Sequence, residues 1–243
     1  MRIYFHSLDQ LPPDLRERIR KLYARDPITY AYLYYDLITP EESANTSLIL
    51  DNSMVVLWRG LMRNDVLLYG NEVELIPDLD IHNIQTYNLE ETEYLSRRFP
   101  KLRAIRYLDM ICEPIGPSET ATKLQVEDLD QLAEIRELST GRISRERARR
   151  LLEKTFGVKE GGKLVSIGSS LVTLPEVWIT GGMFTLPEYR GRGYAGEVVK
   201  AMAWEARRKG AIPLLHVRED NLPAIRAYSR VGCRELRRRW WFI

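Results

Sequence analysis

Residues 187–196 read Pro-Glu-Tyr-Arg-Gly-Arg-Gly-Tyr-Ala-Gly, and three glycines and two arginines fall within seven of these positions. Glycine loses more backbone freedom on folding than any other residue, so a cluster of glycines needs a structural reason. The next stretch, Gly193–Gly210, repeats apolar residues with the spacing of one helix face and ends with three cations and a glycine. This pattern predicts a helix over 193–209, which Gly210 ends as a C-terminal cap. The glycine cluster therefore lies at the turn that opens this helix.

A glycine-rich turn between a strand and a helix presents unpaired backbone N–H groups to an anion. The preceding strand is predicted at Val177–Thr185, and Pro187 starts the turn. Gly191 and Gly193 have no Cβ, so the main chain can approach oxygen atoms closely there, and the two arginines can add charge-assisted hydrogen bonds. The turn predicts a site for a phosphate or pyrophosphate. A tight turn that carries no ligand is the alternative interpretation.

Two common phosphate-binding motifs differ from this turn. Gly191, Gly193 and Gly196 have the G-x-G-x-x-G spacing of a Rossmann site, but 187–190 separate these glycines from the strand, and no helices separate the preceding strands. A P-loop requires Gly-Lys-Ser/Thr, which does not follow the cluster. The turn therefore predicts a different kind of anion site.

The composition is that of a soluble globular protein, with 44% hydrophobic and 29% charged residues. No apolar run approaches the roughly 20 residues of a membrane span, and the N-terminus does not read as a signal peptide. Cys112 and Cys233 are the only cysteines, and their distance in sequence predicts neither a disulfide framework nor a metal site. Together these features favour a cytoplasmic location.

The charge of the chain is unevenly distributed. Residues 1–119 hold 13 Lys/Arg and 19 Asp/Glu, whereas residues 120–243 hold 23 and 15. A basic half suggests an anionic ligand or partner, and solvated helix faces are the alternative explanation. The basic tracts 142–150 and 234–241 raise the question of nucleic-acid binding, but alternation within a terminal strand is the simpler explanation of the second. We therefore expect no nucleic-acid partner.

The segment 114–120 holds two prolines and a glycine and is predicted to link a domain at 1–113 to a domain at 121–243. In the first domain, turn residues separate short apolar runs, which predicts an antiparallel meander. Its helices are predicted at 12–24 and 90–99, with the aromatic stretch 30–38 ambiguous. Its strands are predicted at 2–5, 47–50, 54–58, 66–69, 73–76 and 103–112.

The second domain is predicted to follow the order β-α-α-β-β-β-α-β-α-β. Helices are predicted at 128–138, 144–156, 193–209 and 222–231, and strands at 122–126, 163–167, 170–174, 177–185, 213–217 and 233–242. The sequence Leu-Asp-Gln-Leu occurs at Leu8–Leu11 and again at Leu129–Leu132, each time after a short strand. This repeat suggests a diverged tandem duplication.

Two motifs in this order resemble those of a known family. Arg190–Ala195 is similar to the acyl-CoA pyrophosphate signature R/Q-x-x-G-x-G/A of the GNAT N-acyltransferase superfamily. Leu215–Cys233 is similar to its second signature, L-x-V-x-x-x-N-x-x-A-x-x-x-Y-x-x-x-G-F, except that Cys233 replaces the final aromatic residue. The sequence looks most like glycine-N-acyltransferase-like members, and the resemblance covers about residues 120–243.

The resemblance implies a mixed α/β (α+β) fold of two GNAT-like domains in tandem, each a mostly antiparallel twisted sheet flanked by helices. The N-terminal domain lacks the pyrophosphate signature and would be a degenerate copy. Acetyl-CoA or coenzyme A is the implied co-substrate. No metal is expected, because His6, His82 and His216 show no ligand spacing.

In such a fold the strand that ends at Met183–Thr185 separates from the strand at 213–217, and pantetheine lies in the gap. Asn221 would bond the pantetheine arm or close the separation. The resemblance implies cofactor contacts at Met183, Phe184, Thr185, Arg190, Gly191, Arg192, Gly193, Tyr194, Ala195, Gly196, Asn221, Ala224 and Tyr228.

Acyl transfer from a thioester needs a deprotonated amine, a polarised carbonyl and a protonated leaving thiolate. A backbone N–H near Met183 would polarise the carbonyl, and the resemblance implies that Tyr228 protonates the thiolate as general acid. His216 and Glu219 are candidates for the base, Glu176 is a weaker one, and a chain of waters is an alternative. His216 also fits a buried structural histidine.

The sequence therefore predicts an acyl-CoA-dependent N-acyltransferase of EC class 2.3.1, in the first place an acetyltransferase. Its acceptor would be a primary amine on a small molecule, an amino acid or a protein, and Met183 and Phe184 would shape the acyl pocket. A non-catalytic module that binds acyl-CoA or a partner is the alternative, and a nucleic-acid-modifying enzyme is a third interpretation.

Overall fold

The computed structural model describes residues 2–5, 8–38, 45–50, 53–59, 64–70, 72–87, 90, 92–114, 116–141 and 143–243. The chain divides into two compact units. The first comprises Met1–Leu108, Arg218–Asp220 and Arg237–Ile243, and the second comprises Asp109–Val217 and Asn221–Leu236. His6, one of the three histidines considered for a metal site, lies outside the described residues.

The first unit is a mixed sheet with helices. Its strands are β1 (Arg2–Phe5), β2 (Asn45–Leu50), β3 (Ser53–Arg59), β4 (Asn64–Tyr69) and β5 (Ile81–Thr86), and its helices are α1 (Pro13–Arg25), α2 (Pro27–Ile38) and α3 (Thr92–Arg98). The predicted meander is confirmed, since β2, β3 and β4 pair antiparallel. β4 then pairs parallel with β5.

Two sequence predictions in this unit need correction. The ambiguous stretch 30–38 is helical, and Asp26 starts its helix by accepting the backbone N–H of Thr29 at 3.0 Å. The strand predicted at 73–76 is wrong, because Val73–Leu75 form one turn of 3-10 helix. Strand β5 was not predicted, since His82, Asn83 and Gln85 interrupt its apolar pattern.

The second unit contains most of the resemblance. Strands β6 (Ala104–Cys112) and β12 (Cys233–Phe242) have residues in both units, and the other strands here are β7 (Ala121–Lys123), β8 (Thr155–Glu160), β9 (Lys163–Thr173), β10 (Val177–Thr185) and β11 (Ile212–Arg218). The helices are α4 (Leu129–Thr140), α5 (Arg145–Leu152), α6 (Tyr194–Arg208) and α7 (Leu222–Arg230). β7, β8, β9 and β10 pair antiparallel, and β10 pairs parallel with β11.

The predicted order of elements is confirmed here, but two assignments are wrong. The two strands predicted at 163–167 and 170–174 form the single strand β9. The helix predicted at 144–156 ends at Leu152, and β8 begins at Thr155. Gly161 and Gly162 join β8 to β9, both with positive φ (58° and 83°), as a two-residue hairpin turn requires.

The two compact units are not continuous stretches of sequence, unlike the predicted domains 1–113 and 121–243 with their linker 114–120. The sixth strand of each unit, β12 in the first and β6 in the second, accounts for this difference. In the first unit the strands run β1-β2-β3-β4-β5 and then β12, and Trp240–Phe242 pair antiparallel with Ile84–Thr86. In the second unit they run β7-β8-β9-β10-β11 and then β6. The strand order of each unit therefore includes one strand that the sequence would assign to the other domain.

Apolar residues of α4, α6 and strands β8 and β9 form the core of the second unit. This cluster comprises Ala121, Leu124, Leu132, Ile135, Leu152, Phe156, Val158, Leu164, Val165, Ile167, Leu186, Val198, Ala201 and Met202. The register places Phe156 and Val158 of β8 on the opposite face of the sheet from Ile167 of β9, so this cluster includes side chains from both faces. The core fixes the start of α6 relative to the end of β10.

The expectation that the two cysteines form no disulfide is wrong. Cys112 on β6 and Cys233 on β12 are joined by a disulfide, although 121 residues separate them in sequence. Strand pairing brings them together, and sequence spacing carries no information about this pairing. Within the part of the chain that the structure describes, no helix is long and apolar enough to cross a membrane.

Candidate active site

A gap opens between strands β10 and β11. Their parallel pairing runs from Val177–Ile212 to Thr180–Leu215 and ends there, although both strands continue. On its other side β10 stays paired with β9, with a break in register between Gly181 and Phe184. Backbone groups of Met183–Thr185 on the β11 side are therefore released from the parallel ladder. This edge can accept an extended ligand as an additional strand.

The glycine-rich turn follows β10 and leads directly into α6. Gly191 and Gly193 have φ of 80° and 85°, a conformation that favours glycine, and a Cβ built on either residue would meet no atom within 4 Å. The helix begins at Tyr194, so the backbone N–H groups of its first turn have no partner within the helix. The turn therefore combines open space with free donors, as an anion site requires.

Gly196 has a different structural role from the two turn glycines. It is buried, and a Cβ on it would lie 3.2 Å from the carbonyl oxygen of Ala227 and 3.3 Å from Cγ1 of Val231. These neighbours belong to α7 and the residues after it. The third glycine thus allows α6 and α7 to pack closely.

The two arginines of the turn already have partners within the protein. Arg192 forms an ion pair with Glu160 at 2.8 Å, and the hydroxyl of Tyr194 donates a hydrogen bond to the same carboxylate. This hydrogen bond, assisted by the guanidinium, lowers the pKa of Glu160. Arg190 donates from Nε to the carbonyl oxygen of Thr185 at 3.1 Å. Glu160, which sequence reasoning missed, therefore competes with any anion for Arg192.

Helix α7 carries the residues of the second motif. Asn221 caps it by accepting the backbone N–H of Ala224 at 3.3 Å, so the carbonyl oxygen of its side chain serves the helix. Tyr228 is 6% exposed, and burial raises the pKa of its hydroxyl to about 12. The hydroxyl of Tyr228 thus stays protonated well above neutral pH.

A buried histidine–aspartate pair lies beside the gap. His216 follows the last paired residue of β11, and its Nδ1 lies 2.7 Å from Oδ1 of Asp109 on β6. The side chain of His216 is 6% exposed and that of Asp109 is fully buried. A carboxylate that accepts from Nδ1–H leaves the lone pair of the neutral ring on Nε2. Sequence reasoning missed Asp109, although a carboxylate inside the apolar strand 104–112 was a signal.

The other predicted bases have different surroundings. Glu219 lies in the first unit, where its carboxylate is 2.7 Å from Arg106 and 3.3 Å from Arg238. Glu176 precedes β10, at the end of that strand opposite Met183. His82 is exposed and lies 3.7 Å from Asp80. Among the described residues, no group of His, Cys, Asp and Glu has the arrangement of a metal site.

Comparison with other proteins agrees with this geometry. Residues 156–242 match the family model of the FR47-like proteins. A GCN5-related N-acetyltransferase from Sphaerobacter thermophilus superposes with a TM-score of 0.65 at 16% identity, over 99% of this chain and 94% of that chain. Residues 156–242 are thus similar to the FR47-like proteins, and the fold is that of GNAT structures.

Other GNAT structures share this fold. An acetyltransferase of the GNAT family from Colwellia psychrerythraea has a TM-score of 0.62 at 14% identity, covering 100% of this chain and 98% of that one. A GNAT-family protein from Novosphingobium aromaticivorans is 24% identical with a TM-score of 0.50, over 58% of this chain and 64% of that chain. A comparison with curated proteins found no match. The predicted mixed α/β GNAT fold is confirmed.

Proposed function

We propose that the protein is an acyl-CoA-dependent N-acyltransferase that moves an acetyl group from acetyl-CoA to a primary amine. The observation that carries this proposal is the gap between β10 and β11 next to the left-handed turn at Gly191 and Gly193. The gap suits an extended pantetheine arm, and the turn suits a diphosphate. Both features lie within the segment that matches the FR47-like family.

The residues of the turn fit the diphosphate of coenzyme A. Backbone N–H groups from Gly191 to Gly196 would bind its oxygen atoms, and Arg190 and Arg192 would add charge. Backbone groups of Met183 and Thr185 would pair with the pantetheine amides. The thioester supplied by the bound co-substrate would then lie beside the N–H of Met183.

Tyr228 and His216 have complementary roles in this proposal. Burial raises the pKa of Tyr228 to about 12, so its hydroxyl is neutral at physiological pH and can donate a hydrogen bond to the leaving thiolate. Because a thiol has a pKa of about 8.5, proton transfer from Tyr228 to sulfur is completed as the proton released by the amine returns to the tyrosine. Nε2 of His216, oriented by Asp109, would accept a proton from the attacking amine. We prefer His216 to Glu219 as base because two arginines neutralise the carboxylate of Glu219. Either base could also take the proton from the amine through a chain of waters.

We also propose that the two units arose by tandem duplication. In each unit a strand and two helices precede three antiparallel strands, and a parallel fifth strand follows. The difference lies between the fourth and fifth strands, where the second unit has α6 and the first has one 3-10 turn at Val73–Leu75. Among the described residues between its fourth and fifth strands, the first unit therefore has no α-helix whose N-terminus would bind the diphosphate. A single coenzyme A site per chain is the consequence.

The proposal is tested by calorimetric titration with coenzyme A and by an assay of thiol release. Acetyl-CoA and longer acyl-CoAs are combined with a panel of small amines, amino acids and peptides. Amine-dependent thiol release supports the enzyme. Binding of coenzyme A without transfer to any amine would support the non-catalytic module instead, and absence of binding would refute both. The predicted cytoplasmic location stays a prediction that cell fractionation can test.

A further inference from the structure

A buried arginine contacts the bulge of β10. Arg136 of α4 is 5% exposed, and its Nη1 donates to the carbonyl oxygen of Gly182 at 2.9 Å. Its Nη2 donates to Oγ of Ser169 at 2.6 Å, and Ser169 shares a 2.5 Å hydrogen bond with the hydroxyl of Thr155. The guanidinium is thus anchored on β9 and aimed at one peptide group of β10.

This cation is buried without a counter-charge. Within the described part of the chain, the guanidinium of Arg136 contacts only a carbonyl and a hydroxyl oxygen, no carboxylate contributes to its pKa, and its Nε is buried without a hydrogen-bond partner. Burial, with a smaller contribution from Arg147, lowers the pKa of Arg136 to about 10. A buried, unpaired charge is costly, so a side chain that only filled space here would be better replaced by an apolar one.

The bulge is shaped around the guanidinium. Gly182 has a φ of 60°, and a Cβ on it would lie 2.7 Å from Nη1 of Arg136. Glycine is therefore required at 182 both for the backbone conformation and for the approach of the arginine. The arginine, in turn, fixes the orientation of the peptide plane that follows Gly182.

The carbonyl of Gly182 and the N–H of Met183 belong to the same peptide group. A cationic donor on the carbonyl oxygen polarises this group, and hydrogen bonds in such chains strengthen one another. We propose that Arg136 is a positioning residue that orients the Gly182–Met183 peptide and strengthens the N–H of Met183 as an oxyanion donor. The inference rests on the proposed acetyl transfer, because the oxyanion forms only in that reaction.

The reaction step balances with the groups already named. The amine nitrogen attacks the thioester carbon and forms the C–N bond, while the carbonyl oxygen takes the negative charge beside the N–H of Met183. The amine proton passes to His216 or to water. The oxyanion then re-forms the C=O bond as the C–S bond breaks, the C–S electron pair stays on sulfur, and Tyr228 protonates the thiolate. Arg136 takes no proton and touches no reacting atom.

The strand register places Arg136 and His216 on the same face of the sheet. Ser169 faces α4, since its Oγ bonds the guanidinium, and Gly181 pairs with Ser169. Thr180 and its partner on β11 therefore point to the other face, and the next residue, His216, returns to the face of α4. The proposed base therefore lies on the face of the sheet that carries Arg136, and the N–H of Met183 points away from Arg136 because C=O and N–H are opposed in a trans peptide.

If Arg136 has a purely structural role, its replacement should change Tm and the Kd of coenzyme A but not the carbonyl stretch of a bound analogue. The test compares Arg136→Met and Arg136→Lys with the wild type, and Arg145→Gln on exposed α5 is the matched control for loss of one positive charge. Four quantities are measured: Tm, the Kd of coenzyme A, kcat at saturating acetyl-CoA, and an infrared carbonyl stretch. The stretch is that of a bound ¹³C-labelled ketone analogue in which a methylene replaces the thioester sulfur.

We expect Arg136→Met to lower kcat about 10- to 100-fold, somewhat less than the roughly 100- to 1,000-fold cost of removing an oxyanion donor outright. The Kd of coenzyme A should change less than about twofold, and the carbonyl stretch should move to higher frequency because its hydrogen bond weakens. Arg136→Lys keeps the charge, and its kcat and carbonyl stretch should lie between those of the wild type and Arg136→Met. If Arg136→Met does not fold, the lysine variant provides the test of the inference. An unchanged carbonyl stretch, or a loss confined to Tm and Kd, would overturn the inference. Failure of the wild type to bind coenzyme A or transfer acetyl would instead refute the proposed function.

Discussion

Nδ1 of His216 lies 2.7 Å from Oδ1 of Asp109, and both side chains are buried beside the gap between β10 and β11. The pair predicts that the two residues act as a unit. His216→Gln and Asp109→Asn should each lower kcat by about 10²-fold or more, in the range typical of general-base removal. Steady-state kinetics with saturating acetyl-CoA measures this effect.

Glu219→Gln is the control that separates the two proposed bases. Because the carboxylate of Glu219 already pairs with Arg106 and Arg238, its loss should change kcat only slightly. A large loss in Glu219→Gln together with normal turnover in His216→Gln would contradict our assignment.

Glu160 predicts a gain of cofactor affinity on mutation. Its carboxylate holds Arg192, which is needed for the diphosphate in our proposal. Glu160→Gln should free the guanidinium and tighten coenzyme A binding about two- to fivefold, the scale of an exposed ion pair. Calorimetry at low and high salt measures this gain, which screening should reduce. Weaker binding in Glu160→Gln would show that Glu160 orients Arg192 for the ligand.

The raised pKa of Tyr228 predicts that kcat does not fall at alkaline pH through ionisation of this residue. Since burial raises the pKa of its hydroxyl to about 12, the residue stays a proton donor up to strongly alkaline pH. Tyr228→Phe should lower kcat about 10- to 100-fold, with little change in the Kd of coenzyme A. The profile of kcat against pH for the wild type should show no loss attributable to this group below about pH 11. Normal turnover in Tyr228→Phe would remove Tyr228 as general acid.

The glycine-rich turn and its similarity to a known signature were visible in the sequence because the residues concerned are contiguous. The turn at 187–193 and helix α6 follow from periodicity, glycine spacing and terminal charges, which act over a few residues. Asp109, Arg136 and Cys112 were missed as partners, because each contacts residues far away in sequence through sheet register or helix packing. Strand β8 was not predicted, because the apolar spacing of α5 continues into the first residues of β8 and the predicted helix 144–156 includes them.

Asp36 in the first unit predicts a pH-dependent stability. Burial raises the pKa of this carboxyl to about 7, above its usual value. Between about pH 4 and pH 7 the unfolded chain releases a proton that the folded protein retains, so stability falls as pH rises. Asp36→Asn removes this loss and should raise Tm by about 5 °C at pH 8 and little at pH 4.

The matched control for this prediction is Asp78→Asn, since Asp78 is exposed. Its Tm should follow the wild type at both pH values. An equal rise of Tm at pH 4 and pH 8 in Asp36→Asn would show that ionisation of Asp36 is not the cause.

The most direct test of the central claim is a calorimetric titration of Gly193→Ala with coenzyme A. Gly193 and Gly210 lie at opposite ends of α6, both with positive φ (85° and 81°) and with open space around a built Cβ, so Gly210→Ala is the matched control. We predict that Gly193→Ala weakens coenzyme A binding at least about tenfold, the loss expected when about 1.4 kcal/mol of binding is removed. Gly210→Ala should bind like the wild type. Equal affinity of both variants would contradict the assignment of the diphosphate to this turn.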